Sequence, residues 1–192
     1  PDTLPFRLLS LTAISGEFPT SQLNRLPASP YYLEAVVTAL KKAGLLRTYY
    51  RDRLRGYRLG IKAKSALLDG WPERFTFCLT GDAETNRLKS EANRRFRLHR
   101  LAETYITIGN AGVLLYPDEK PKVFAQTGFG GEAVTYPVFY SSREVKELGA
   151  DATQIRSSRF AGVLLAPTGI FVTYNSGGAL MKWRYKSELR VK

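Results

Sequence analysis

Leu33, Val36, Val37 and Leu40 recur at the three- and four-residue spacing of one helical face, and beyond Gly44 the pattern turns to tyrosines and arginines in loose alternation. The first pattern predicts a helix over 29–43 with a buried stripe, leaving Tyr31, Glu34, Thr38, Lys41 and Lys42 on its open side. Ser29 suits the N-cap because its hydroxyl can accept an otherwise unpaired amide, and Pro30 can follow because the first helical position needs no N–H. Gly44 fits the stop. The second pattern, entered through Leu45 and Leu46, predicts a two-stranded hairpin with Gly56 near the bend. Upstream, residues 3–15 predict a helix with Phe6, Leu8, Leu9, Leu11 and Ile14 inward, ended by Gly16. A short second helix over TSQLNRLP would bury Leu23 and Leu26 and turn at Pro27. Lys62 to Leu68 predict a closing helix packed through Ala63, Ala66 and Leu67. Helices, hairpin and closing helix over 1–70 follow the plan of a winged helix-turn-helix.

Trp71-Pro72 marks a boundary, because the proline changes the chain's direction. Phe75, Phe77 and Leu79 alternate with polar residues, which predicts a short strand or an extended linker within 71–83. From 83 to 108 the spacing is helical again, with Leu88, Ala92, Phe96, Leu101 and Tyr105 as core positions. After Gly109, AGVLLYP reads as a buried strand and YSSREVKELG as a short capped helix starting near Ser141 or Ser142, with Glu144 at the favourable end of its dipole. FAGVLLAPTGIFVTYN predicts a hairpin joined across residues 166–169. A basic amphipathic segment around 180–189 follows Gly177-Gly178. Residues 84–192 thus predict a small α/β domain, and the whole chain an α+β or α/β protein. The chain starts at Pro1 and stops at Lys192 inside a basic, helix-compatible segment, the pattern expected of a fragment.

Charge sharpens this picture. Between positions 41 and 64, nine cations stand against Asp52, a net +8 out of the chain's +12. Two thirds of the excess therefore lies in one eighth of the sequence, as a phosphate-binding surface requires. Tyr31, Thr38, Lys41 and Lys42 on the helix and Arg47, Arg51, Arg53, Arg55 and Arg58 on the hairpin are the residues expected to meet duplex DNA. The helix would lie in the major groove, and Arg51, Arg53 and Arg55 would reach phosphates or an adjacent minor groove. Arginines 87, 94, 95, 97 and 100 form a second basic series. Glu84, Glu91 and Glu103 are interleaved with it, so local ion pairs on a solvated helix are expected there.

Other chemistry has little support. One cysteine, Cys78, allows no internal disulfide and reads as a small core residue. One histidine, His99, leaves little for a transition-metal site or a Ser-His-Asp triad, and it reads as a helix-surface or partly packed residue among arginines. Gly128-Phe129-Gly130-Gly131 lacks the lysine and hydroxyl residue of a phosphate-binding loop. No apolar run approaches the roughly 18 residues of a membrane span. A cytoplasmic protein without a cofactor is expected.

The arrangement resembles the replication-relaxation family of plasmid and conjugative-element proteins, over residues 3–68 for the winged helix and 84–185 for the remainder. The resemblance implies a second domain related to restriction endonucleases, in which an aspartate and an acidic-x-lysine pair on a hairpin hold a divalent metal. On the hairpin of this chain those positions fall at Ala161, Thr173 and Asn175, and neither Ala161 nor Thr173 supplies a carboxylate. The implied protein is a non-catalytic accessory or regulatory factor in replication, transfer or transcription of a mobile element. Its implied partners are duplex DNA and a relaxase or replication protein, with a homodimer as a further option. Two alternatives stand beside it. One is a metal-dependent nuclease using Asp118 and Glu144 with Lys146, and Glu103 as a third carboxylate, although SSREVKELG reads as a helix and the chemistry needs a strand. The other is a protein-interaction module on a winged-helix scaffold.

Overall fold

The unbroken run of buried residues 8–15 makes α1 (Leu4–Ser15) the helix around which the N-terminal elements assemble, with Leu8, Leu9, Leu11, Ala13 and Ile14 as its apolar members. Buried hydroxyls on this helix turn to its own backbone, Thr12 Oγ1 donating to the Leu8 carbonyl at 2.7 Å and Ser15 Oγ to that of Leu11 at 2.6 Å. The computed structural model describes residues 3–81, 91–121, 135–146 and 160–175 of a mixed α+β protein. The chain divides into two compact units, Pro1–Thr107 and Ile108–Lys192.

In the first unit Gly16, at φ +84°, reverses the chain into β1 (Phe18–Pro19) and a 3-10 turn (Thr20–Arg25). This turn replaces the expected second helix, yet it still buries Leu23 and Leu26. Then come α2 (Pro30–Lys42), β2 (Leu46–Arg51), β3 (Leu54–Leu59) and α3 (Ile61–Gly70). The sheet has the order β1-β3-β2, antiparallel throughout. On α3, Ala63 and Leu67 are buried as expected, whereas Ala66 is exposed.

Residues 72–79 are neither strand nor linker. They form α4 (Pro72–Leu79), and its helical turn brings Phe75 and Cys78 into the core, a burial that alternation had disguised. Phe6 of α1 packs between Trp71 at 4.5 Å and Phe75 at 6.3 Å, ring centroid to centroid. The long α5 (Ala92–Asn110) also differs in its buried face: Arg95, Leu98, Ala102, Tyr105 and Ile106 are inward, while Phe96 is exposed.

In the second unit a 3-10 turn (Pro117–Glu119) precedes β4 (Val138–Ser141), α6 (Ser142–Lys146), β5 (Phe160–Ala166) and β6 (Gly169–Tyr174), with sheet order β4-β5-β6. The expected hairpin is β5–β6, with Ala166 paired to Gly169. The expected AGVLLYP strand is reduced to a single parallel bridge from Leu114 to Val138. The readings of Arg87, Glu84, Leu88, the glycines at 128–131 and the segment at 180–189 lie outside the described residues. Among those described, no helix is long and apolar enough to cross a membrane.

Gly56 is not at the hairpin's bend. It lies inside β3 opposite Tyr49, and an added Cβ there would overlap the Glu17 carboxylate. A strand glycine often marks such a close approach. Gly56→Ala is expected to cost about 1–3 kcal/mol in urea denaturation. Gly70→Ala, which meets open space, is the matched control and is expected to cost nothing.

Candidate nucleic-acid interface

The α2 helix starts as its sequence requires. Ser29 Oγ accepts the Tyr32 amide at 3.3 Å, Pro30 occupies the first helical position, and Gly44, at φ +72°, lies just past the end. Leu33, Val36, Val37 and Leu40 face the core, so Tyr31, Glu34, Ala35, Thr38, Lys41 and Lys42 are exposed. Tyr31 is 85% exposed, an unusual position for a large aromatic side chain without a partner surface.

On the hairpin, Arg47, Arg51, Arg53 and Arg55 are exposed. Its bend is a two-residue turn at Asp52 and Arg53, with φ +52° and +60°. Both residues are left-handed, as in the hairpin turns whose twist matches that of the strands. Glycine and asparagine are the usual occupants, and an arginine there carries a backbone cost on the order of 1 kcal/mol. The turn thus holds a cation at its tip against local preference. Arg51 lies 3.6 Å from Asp52, an exposed pair of little energetic weight.

Arg58 does not belong to that surface. It is 3% exposed and points inward, because the register that pairs Phe18 with Tyr57 sets Glu17 opposite Arg58. Arg58 Nε and Nη2 each lie 2.8 Å from Glu17 Oε2. Arg95 of α5, fully buried, reaches the same carboxylate: Nη2 donates to Oε1 at 2.5 Å, and Nε lies 3.1 Å from both oxygens. His99, one turn further along α5, places Nε2 2.8 Å from Oε1. An ionised carboxylate only accepts, so this nitrogen carries a proton. The Tyr49 ring lies 4.1 Å from the Arg58 guanidinium carbon and 4.6 Å from that of Arg95, adding cation–π attraction to both.

Arg95 also ties down the hairpin end. It donates to the main-chain carbonyls of Arg51 at 2.7 Å, Leu54 at 3.0 Å and Tyr49 at 3.3 Å. These three residues bracket the Asp52–Arg53 turn, so α5 fixes the backbone that carries the exposed cations. Arg95 is therefore a structural residue rather than part of a solvated basic face. Glu103 pairs not with an arginine of its own helix but with Arg25 of the 3-10 turn, at 3.8 Å, and Arg25 Nη2 also donates to Thr107 Oγ1.

Burial alone would raise the Glu17 pKa. Hydrogen bonds from His99, Arg95 and Arg58, together with the charge of Arg58, more than offset this and hold it at about 2, against an ordinary 4.5. The carboxylate is thus ionised wherever the protein is folded near neutrality. With one carboxylate for two buried guanidiniums, the cluster leaves no negative charge to offset the exposed arginines above it.

In the second unit, Glu144 and Lys146 lie on the helix α6, not on a strand. Glu144 closes a capping box: the Ser141 amide donates to its Oε2 at 2.7 Å, and its own amide donates to Ser141 Oγ at 3.4 Å. Its Oε1 lies 2.6 Å from Lys120 Nζ. Lys120, with 3% of its side chain exposed, has its pKa lowered by burial despite the opposing charges of Glu144 and Glu119. The neighbouring Tyr140 phenol is pushed up to about 12 by burial and by Glu144, and donates to the Pro121 carbonyl at 2.7 Å. Asp118 is exposed in the 3-10 turn. Ala161 is buried, and Thr173 Oγ1 donates to the Gly162 carbonyl at 2.8 Å. Among the described residues, no three His, Cys, Asp or Glu side chains come together.

Tyr31, Thr38, Lys41, Lys42, Arg47, Arg51, Arg53 and Arg55 are thus exposed on α2 and the hairpin, whereas Arg58 is buried. Charge counting missed Glu17, Tyr49 and Arg95. Gly56 was the available signal, a glycine in a strand implying something close against the backbone. No family model, curated protein or solved structure matches the chain.

Because its folded pKa lies below the ordinary value, Glu17 binds a proton more readily in the unfolded chain between pH 4.5 and 2. Its stabilisation is complete above that window and is lost as pH falls through it, by about 3 kcal/mol in all. Denaturation from pH 6 to 2 should show this loss in the parent and not in Glu17→Gln. That variant should also be destabilised at pH 7 by about 3–5 kcal/mol, because two guanidiniums stay buried without their counter-charge.

Proposed function

We propose that the first unit is a winged helix-turn-helix that binds duplex DNA without cutting it, with α2 in the major groove and the β2–β3 hairpin as the wing. One observation carries this reading: the hairpin's arginines divide into a buried one neutralised by Glu17 and four exposed ones, three of them (Arg51, Arg53 and Arg55) set around a turn that Arg95 holds from beneath. The order of elements supports the same reading, with a capped helix leading into a hairpin whose inner strand pairs with a short strand ahead of the helix. Lys64 on α3 lies close enough to Arg47 to feel its charge: burial first, and then Arg47, lowers its pKa. The positive surface is then balanced by phosphates, which supply affinity and register, while α2 supplies contacts to bases. The use of both Glu144 oxygens in a cap and an ion pair supports a binding protein over a nuclease. The resemblance to replication-relaxation proteins suggests the setting, an accessory or regulatory role at a mobile element.

Fluorescence anisotropy with a labelled duplex tests the proposal as salt is raised without divalent metal. Affinity should fall log-linearly with salt, by about 0.9 per contacted phosphate. Replacing Arg51, Arg53 and Arg55 together with Ala should lower that slope by roughly two to three and weaken all duplexes alike. Absence of binding at low salt would overturn the reading and leave the surface to an acidic protein.

A further inference from the structure

The exposed stripe of α2 has a composition that phosphate contact does not explain. At helical spacing it runs Tyr31, Glu34, Ala35, Thr38 and Lys42, with Lys41 beside the last. Cations are confined to its final turn, and the centre is acidic, apolar or hydroxylated. A helix that met only the DNA backbone would carry cations along its length. Apolar and hydroxyl groups at the centre suit base edges, since Ala and Thr methyls pack against the thymine methyl.

Glu34 is the informative member. Its helical neighbours three and four residues away are Pro30, Tyr31, Val37 and Thr38, none of them a cation. Its carboxylate makes no hydrogen bond or ion pair among the described residues, and, after burial, its charge helps raise the pKa of the Tyr57 phenol without adding an attraction. No attractive contact within the fold accounts for it, and on a helix that ends in Lys41 and Lys42 an exposed acid weakens attraction to phosphate. An ionised carboxylate can only accept hydrogen bonds, so a partner in the groove must be a donor. The major groove offers two, the amino groups of adenine and cytosine. Adenine sets its N7 lone pair beside the amino group, where it would face the second carboxylate oxygen. Cytosine sets a C–H there.

Resting on the DNA-binding reading above, we propose that Glu34 is a specificity-determining residue that reads a C·G pair by accepting a hydrogen bond from the cytosine 4-amino group. Its charge acts a second time by repelling phosphate, which penalises non-specific placements of α2. Discrimination thus comes at the expense of general affinity.

Selection of the full chain against a randomised duplex library, followed by anisotropy on selected and altered duplexes, tests this. Wild type should enrich a C·G pair at one position, and replacing that pair should weaken binding roughly 5- to 150-fold. Glu34→Ala should lose that preference while binding unselected duplex more tightly at the same salt. Glu34→Gln should shift it towards adenine, whose N6 and N7 match an amide. Both substitutions are at an exposed position, so unchanged thermal midpoints are expected. An identical selected motif in Glu34→Ala would overturn the proposal, as would wild type that binds every duplex equally, and either result would leave DNA binding intact. Failure of wild type to bind any duplex at low salt would overturn the DNA-binding reading and this inference together.

Discussion

Taking a carboxylate out of water costs more than any single partner returns, and the first unit meets that cost by bringing Arg58, Arg95 and His99 to Glu17. These partners come from two distant parts of the chain, β3 and α5, so satisfying one acid also decides how those parts meet. Gly56 must lack a side chain, Tyr49 must lie over the guanidiniums, and α5 must present Arg95 rather than Phe96 to the sheet. Replacing the cluster with apolar residues of equal volume could give comparable stability. It would not give the same directional ties to the carbonyls of residues 49, 51 and 54.

Those ties matter because the hairpin is otherwise at odds with its own turn. Asp52 and Arg53 adopt a left-handed backbone that favours glycine, and a two-stranded ribbon alone is marginal in water. On the proposed DNA-binding reading, a floppy wing would lose conformational entropy on every encounter with a duplex, and Arg95 would move that cost from binding to folding. Buried and exposed arginines on one hairpin thus have complementary roles, the first holding the backbone and the second projecting from it.

Much of the fold was legible in the sequence where local chemistry decides it. Ser29, Pro30 and Gly44 delimit α2, and Ser141 with Glu144 starts α6, because caps involve atoms a few residues apart. Periodicity failed where tertiary contact overrides it. Phe75 and Phe77 alternate like a strand yet lie on α4, whose packing against α1 is invisible locally. On α5, hydrophobicity favours burial of Phe96, and a carboxylate 78 residues upstream buries Arg95 instead. The candidate surface was legible as a charge density. Which arginines belong to it was not, since Arg55 and Arg58 differ only in the strand face they occupy, and register is a property of two strands.

Synthesis runs from the N-terminus, and this gives Arg95 a temporal meaning. Glu17 and Arg58 are synthesised before α5, and at typical elongation rates the 37 residues separating Arg58 from Arg95 take on the order of seconds. Until α5 is available, the hairpin has its turn residues, its exposed cations and only part of its acid's final environment. The nascent chain can form α2 and its cap early, whereas the backbone around residues 49–54 acquires its last three hydrogen bonds only when α5 arrives. The hairpin is thus made early and finished late, by a helix that comes after every residue it organises.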